Sequence, residues 1–178
     1  MMRLPDYFVM KNDPRITHKP AVLQIDLLKK PFHELPPVQV LEARPDPAME
    51  AVDWIADPVP LYSDALKNIA EKYNIFIRFK KVYIVDPSSG NDMVYWLADY
   101  PFVDVLSPAT EYHVHDGSVK RLVLDRGKLR GHHIVQIRGP RRGESYLAIS
   151  LHAAESFLRR GLSGFVLEKT ELDGGYAL

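Results

Sequence analysis

Apolar positions recur at helical spacing in two stretches of the chain, and strand-like runs surround both. The first block is "PLYSDALKNIAEKYNIFIRFKKVYIVD", where Leu66, Ile69, Ala70 and Tyr73 share one helical face. Ser63 stands where a hydroxyl can accept a bond from a free helix-start amide. Asp64 adds a negative charge in the first turn, where the helix dipole favours it. Asn74 reads as a left-handed stop. After it, "IFIRFKKVYIV" predicts one long strand or two, "DPSSGND" a turn and "MVYWLA" a further strand.

The second block, "YLAISLHAAESFLRRGLSGFVLEKTEL", falls under the first at an offset of 87 residues. Ser63 then lies on Ser150 and Asn74 on Gly161. Both blocks read strand, capping serine, three-turn helix, stop, strand. Leu151, Ala154, Phe157 and Leu158 define a face rotated by about one residue from that of the first helix. Helices are expected over residues 63–73 and 151–160. Between the blocks, "SVKRLVLD", "HHIVQIR" and "SYLAIS" are joined by "RGKLRG" and "GPRRGE", which predicts an antiparallel meander with glycine-bearing turns.

The first half is patterned differently. Ten of the fourteen prolines lie in the first sixty residues, which rules out a long helix there. Tyr7–Met10 reads as a strand, "AVLQIDLL" as a strand or short helix, and "MEAVDWIA" as a helix turn or strand. The fold class expected is α+β: a mixed or antiparallel sheet, two related strand–helix–strand units and an extended proline-rich N-terminal segment. A chain of 178 residues suits one domain, 1–178, with residues 1–50 as the proline-rich segment wrapped around the rest.

Composition narrows the chemistry. The absence of cysteine excludes a disulfide framework, an iron–sulfur cluster and a cysteine nucleophile. The start carries one arginine and a short apolar run, so no secretory signal is expected, and no stretch has the apolar length of a membrane span. A cytoplasmic protein is the expectation. Formal net charge is zero, yet Lys120–Arg142 carries +7, so the remainder carries −7. Trp54 and Trp96 read as core or near-core anchors. Ser63 and Ser150 read as caps rather than nucleophiles. No phosphate-binding glycine loop, nucleophile elbow or His-Glu-x-x-His motif occurs, and no cofactor is expected.

Two constellations carry alternative readings. His113 and His115, with His132 or His133, could supply nitrogens to a metal ion and so define a metal-dependent enzyme. The basic segment Lys120–Arg142 could instead contact nucleic acid through phosphates. It has no aromatic residue for base stacking, which makes nucleic acid the weaker partner.

In order, "VPLYSDALKNIAEKYNI", "RLVLDRGKLRGHHIVQIRG" and the second block make a recognisable layout. It resembles the bacterial immunity-protein family numbered eleven among polymorphic-toxin systems, first described as a domain of unknown function. The positions that carry the likeness are Ser63, Leu124–Asp125, Gly131 with His133–Ile134, Ser150, Gly161 and Gly164–Phe165. It covers about Trp54 to Leu172, so residues 51–172 form the family-like region. The resemblance implies a non-enzymatic protein that binds and neutralises a cognate toxin, encoded by an adjacent gene. On that reading Arg138, Arg141 and Arg142 are the expected partner contacts, and the toxin face they meet is acidic.

Overall fold

The computed structural model describes residues 5–28 and 30–174. The expected domain and segment bounds that begin at Met1 or end at Leu178 reach into residues 1–4 and 175–178, which lie outside the described residues. The described chain is mixed α+β. Its elements are β1 (Tyr7–Asn12), α1 (Ile25–Leu28), β2 (Val38–Glu42), β3 (Trp54–Ile55), β4 (Leu61–Tyr62), α2 (Asp64–Tyr73), β5 (Arg78–Val85) and β6 (Asp92–Asp99). They continue with β7 (Glu111–Tyr112), β8 (Val119–Arg121), β9 (Val123–Asp125), β10 (Ile134–Arg138), β11 (Ser145–Ser150), α3 (Leu151–Arg159), β12 (Phe165–Lys169) and β13 (Glu171–Asp173).

Both repeat units are present, and each is split by an inserted strand. The five-stranded sheet has the order β2-β5-β6-β4-β3 and the four-stranded sheet the order β10-β11-β1-β12. β4 and β5, the strands flanking α2, both run antiparallel to β6, which lies between them. β11 and β12, the strands flanking α3, both run antiparallel to β1 in the same way. The two units are therefore related in topology, although one recruits the next strand in the chain and the other recruits the N-terminal strand.

Both helices begin as expected. The Ser63 hydroxyl accepts from the Leu66 amide at 3.1 Å, and the Ser150 hydroxyl from the Ala153 amide at 3.4 Å. Their ends differ. Gly161 takes the left-handed conformation at φ 64°, whereas Asn74 is extended at φ −151°. Asn74 has better uses for its side chain: Nδ2 donates to the Ile134 carbonyl, and Oδ1 accepts from the Phe76 amide. The buried face of α3 also differs from the expected one. Ala153, Ala154 and Phe157 are buried, while Leu158 is 61% exposed. Ala153 and Phe157 occupy the places of Leu66 and Ala70, but Ala154 falls on Lys67 and Ser156 on Ile69, so the two faces overlap with a partial rotation.

A core cluster lies between the sheets and helices, built on Trp54, Tyr62, Leu66, Ile134, Phe157 and Phe165. A second covers the other face of the five-stranded sheet, where Val22 and Leu35 of the proline-rich segment and Val52 just after it pack with Leu41, Val82 and Ile84. A third lies beneath β10 and β11 and includes Val105, Leu124 and Leu129. Trp54 is buried, and Trp96 is partly buried with its Nε1 donating to Asp64 Oδ1 at 2.5 Å.

The expected meander forms only in part. β10 and β11 make the hairpin, but β8 pairs with β7, and β9 pairs in parallel with β13. Leu124 is drawn into the third core cluster, and that burial outweighs pairing between neighbours in sequence. Among the described residues, no helix is long and apolar enough to cross a membrane.

Candidate binding groove

The β10–β11 turn is shaped by one carboxylate. Glu144 accepts from the Val119 amide at 2.9 Å, the Tyr146 hydroxyl at 2.6 Å and the Arg141 amide at 3.4 Å. Burial alone would raise the Glu144 carboxyl, but these three donors together hold it below the usual glutamate value. Gly139 makes room for it: a β-carbon there would lie 2.3 Å from Glu144 Oε2. The turn thus keeps its acid occupied internally and presents its arginines outward.

Those arginines meet in one place. Arg138, Arg141 and Arg142 all line an open groove of about 600 Å³ between the hairpin and the end of β6. Lys30 adds a further cation, while Phe32, Leu35, Val59, Pro60 and Leu97 supply an apolar floor. The Arg138 guanidinium lies 5.2 Å from the Phe102 ring centroid, and Phe102 is itself 61% exposed. Arg141 pairs with Asp116 at 3.1 Å. Arg138, Arg142 and Lys30 have no acidic partner among the described residues. The groove's own acid on β6, Asp99, is committed to Arg78 at 2.5 Å.

A neighbouring recess of about 410 Å³ continues the groove and shares Val59, Pro60, Gln136, Gly143 and Ser145 with it. The depression is therefore elongated, running from the arginine turn towards Asn12 and Asp57.

The remaining basic residues of Lys120–Arg142 are dispersed. Arg121 is clamped by Glu111 and Glu171, and Lys128 pairs with Asp104 at 3.1 Å. These contacts tie β7, β8 and β13 together and use charge that a nucleic acid would need. The histidines separate as well. His113 and His115 sit in the turn after β7 rather than in a strand. His133 lies instead against α2 and α3, with ring centroids 5.7 Å from Tyr73 and 6.0 Å from His152. Among the described residues, no three His, Asp or Glu side chains converge as a metal site.

One contact was not foreseen from the residues. His133 Nδ1 lies 2.8 Å from the Ser150 hydroxyl. The β10–β11 register, Ile134 opposite Ile149, sets His133 against Ser150. Burial first, then His152 and His132, lower the His133 pKa below the ordinary histidine value. A serine at a strand-to-helix turn beside a histidine invites comparison with a hydrolytic pair. Here, however, Ser150 is fully buried and its hydroxyl caps α3, so substrate has no access to it in this conformation.

No protein-family model matches the chain, and no curated protein is similar enough to count as a match. The likeness to the immunity family therefore rests on the motifs themselves.

Proposed function

We propose that this chain is a non-enzymatic immunity protein that binds a cognate bacterial toxin in the cytoplasm of the producing cell and blocks it by covering a surface. The observation that carries the reading is the convergence of Arg138 and Arg142, neither with an acidic partner among the described residues, on one elongated groove beside the exposed Phe102 ring. Such a patch combines the two elements protein interfaces favour: arginines free to pair and an aromatic side chain to bury. The order of motifs across residues 54–172 supports the same reading through the family it resembles.

A stable interface covers roughly 800 Å² on each partner, so recognition extends beyond the groove onto neighbouring surface. Charge complementarity there speeds encounter and discriminates between partners. The test is genetic. Each open reading frame adjacent to this one is expressed alone in a naive bacterium and then together with this chain. Growth arrest by one neighbour, relieved by this chain, is the expected result. Absence of any toxic neighbour, or failure to rescue with soluble chain present, refutes the reading.

A further inference from the structure

We infer that the groove takes an extended acidic segment, which adds as a strand to the free edge of β10. The inference rests on the proposed function for the identity of the partner, but the chemistry of the segment follows from the groove. β10 is the outer strand of its sheet. The Ser150 amide donates to the His133 carbonyl, and the Gly139 amide donates to the Glu144 carbonyl. Antiparallel pairing alternates, so residues 133, 135, 137 and 139 face β11, and Gln136 and Arg138 turn their N–H and C=O groups away from it. Among the described residues, these outward groups have no backbone partner. An edge of this kind is a template for another strand.

The side chains around that edge define what the strand carries. Among the described residues, Arg138, Arg142 and Lys30 offer cations without acidic partners, and Asp99 and Glu144 are already engaged. Carboxylates on the incoming strand would pair with the two guanidiniums in charge-assisted hydrogen bonds. Strand side chains alternate, so the residues between the carboxylates face the other way, and small apolar ones suit the Val59, Pro60 and Leu97 floor. The groove and the recess that continues it are long and open, which fits a segment of polypeptide better than a compact ligand.

The probe is a fluorescein-labelled peptide of alternating glutamate and valine, about eight residues long, a common strand length. Its counterpart has lysine in place of glutamate. Binding to the full chain is read by fluorescence anisotropy, and the site by amide shifts in nitrogen-15 NMR spectra. The acidic peptide is expected to bind, to weaken as salt is added, to shift the Gln136 and Arg138 amides, and to lose at least about tenfold in affinity to R138E/R142E. R130E, a charge reversal outside the groove, should bind as the parent does, and the spectra verify that each variant is folded. No binding, equal binding of the lysine peptide, unshifted Gln136 and Arg138 amides, or undiminished binding to folded R138E/R142E would each overturn the inference. A neutralised toxin whose affinity survives R138E/R142E sinks the groove and leaves the immunity reading standing. Acidic-peptide binding at β10 with no toxic neighbour does the reverse.

Discussion

Gly161 and Gly164 lie three residues apart, both at positive φ, and should respond very differently to the same added methyl group. At Gly161, φ is 64° and no atom lies within 4 Å of the position a β-carbon would take. Gly161→Ala meets only the left-handed backbone penalty, about 1–2 kcal/mol. At Gly164, φ is 97° and the β-carbon would lie 2.3 Å from the Trp54 carbonyl oxygen and 3.0 Å from its amide nitrogen. Both are backbone atoms of β3, so no side-chain rotation relieves the clash. The segment is also where the two sheets meet: the Asp53 and Trp54 amides both donate to the Ser163 carbonyl at 3.2 Å. Backbone strain of about 1–3 kcal/mol and overpacking of about 1–3 kcal/mol give Gly164→Ala a cost of roughly 2–6 kcal/mol. That is a large share of the roughly 5–15 kcal/mol that holds a typical domain together. Urea denaturation followed by circular dichroism measures both variants, with similar m-values required for the comparison. If Gly164→Ala costs no more than Gly161→Ala, the close junction of β3 and β12 is wrong.

Ser63 joins two structures, since its hydroxyl accepts from Leu66 and donates to Asp53 Oδ1 at 2.6 Å, while Asp53 Oδ2 accepts from the Ser163 amide at 2.8 Å. Ser63→Ala should cost about 1–2 kcal/mol in the same urea assay, and an unchanged midpoint would show that the cap contributes nothing. His133 gives a pH dependence. Its pKa is lowered in the folded chain, so its contribution to stability is complete above the ordinary histidine range, near 6.5, and is lost as pH falls through that range towards the folded value. Denaturation midpoints at about pH 7.5 and about pH 5.5 should therefore differ less in His133→Asn, which can still bond Ser150, than in the parent. An equal difference would assign the pH dependence to other groups.

The parts of this fold that depend on neighbours in sequence are legible in the sequence itself. Ser63 and Ser150 were readable as caps because the hydroxyl and the amide it accepts are three residues apart. Gly161 was readable because its conformation is local. Asn74 was misread because its amide found a tertiary partner in Ile134, which no local rule anticipates. The two related units were visible as a repeat, and β6 and β1 were readable as strands, but their insertion between the two strands of each unit was not, since pairing across a sheet leaves no periodic mark. The groove was half legible. Charge density pointed to Arg138, Arg141 and Arg142, whereas Lys30 and Phe32 reach the site from the proline-rich segment, about a hundred residues away in the chain. The His133–Ser150 contact required the hairpin register, which the turn "GPRRGE" alone did not specify.

A binding protein and an enzyme that inactivates a toxin differ most plainly in stoichiometry. The measurement that addresses the central claim is therefore a titration of the purified toxin's activity with this chain, at concentrations well above the dissociation constant. Tight covering of a surface predicts a linear fall in activity that reaches zero near one equivalent. Complete loss of activity at about a hundredth of an equivalent would mean turnover, and would contradict the account.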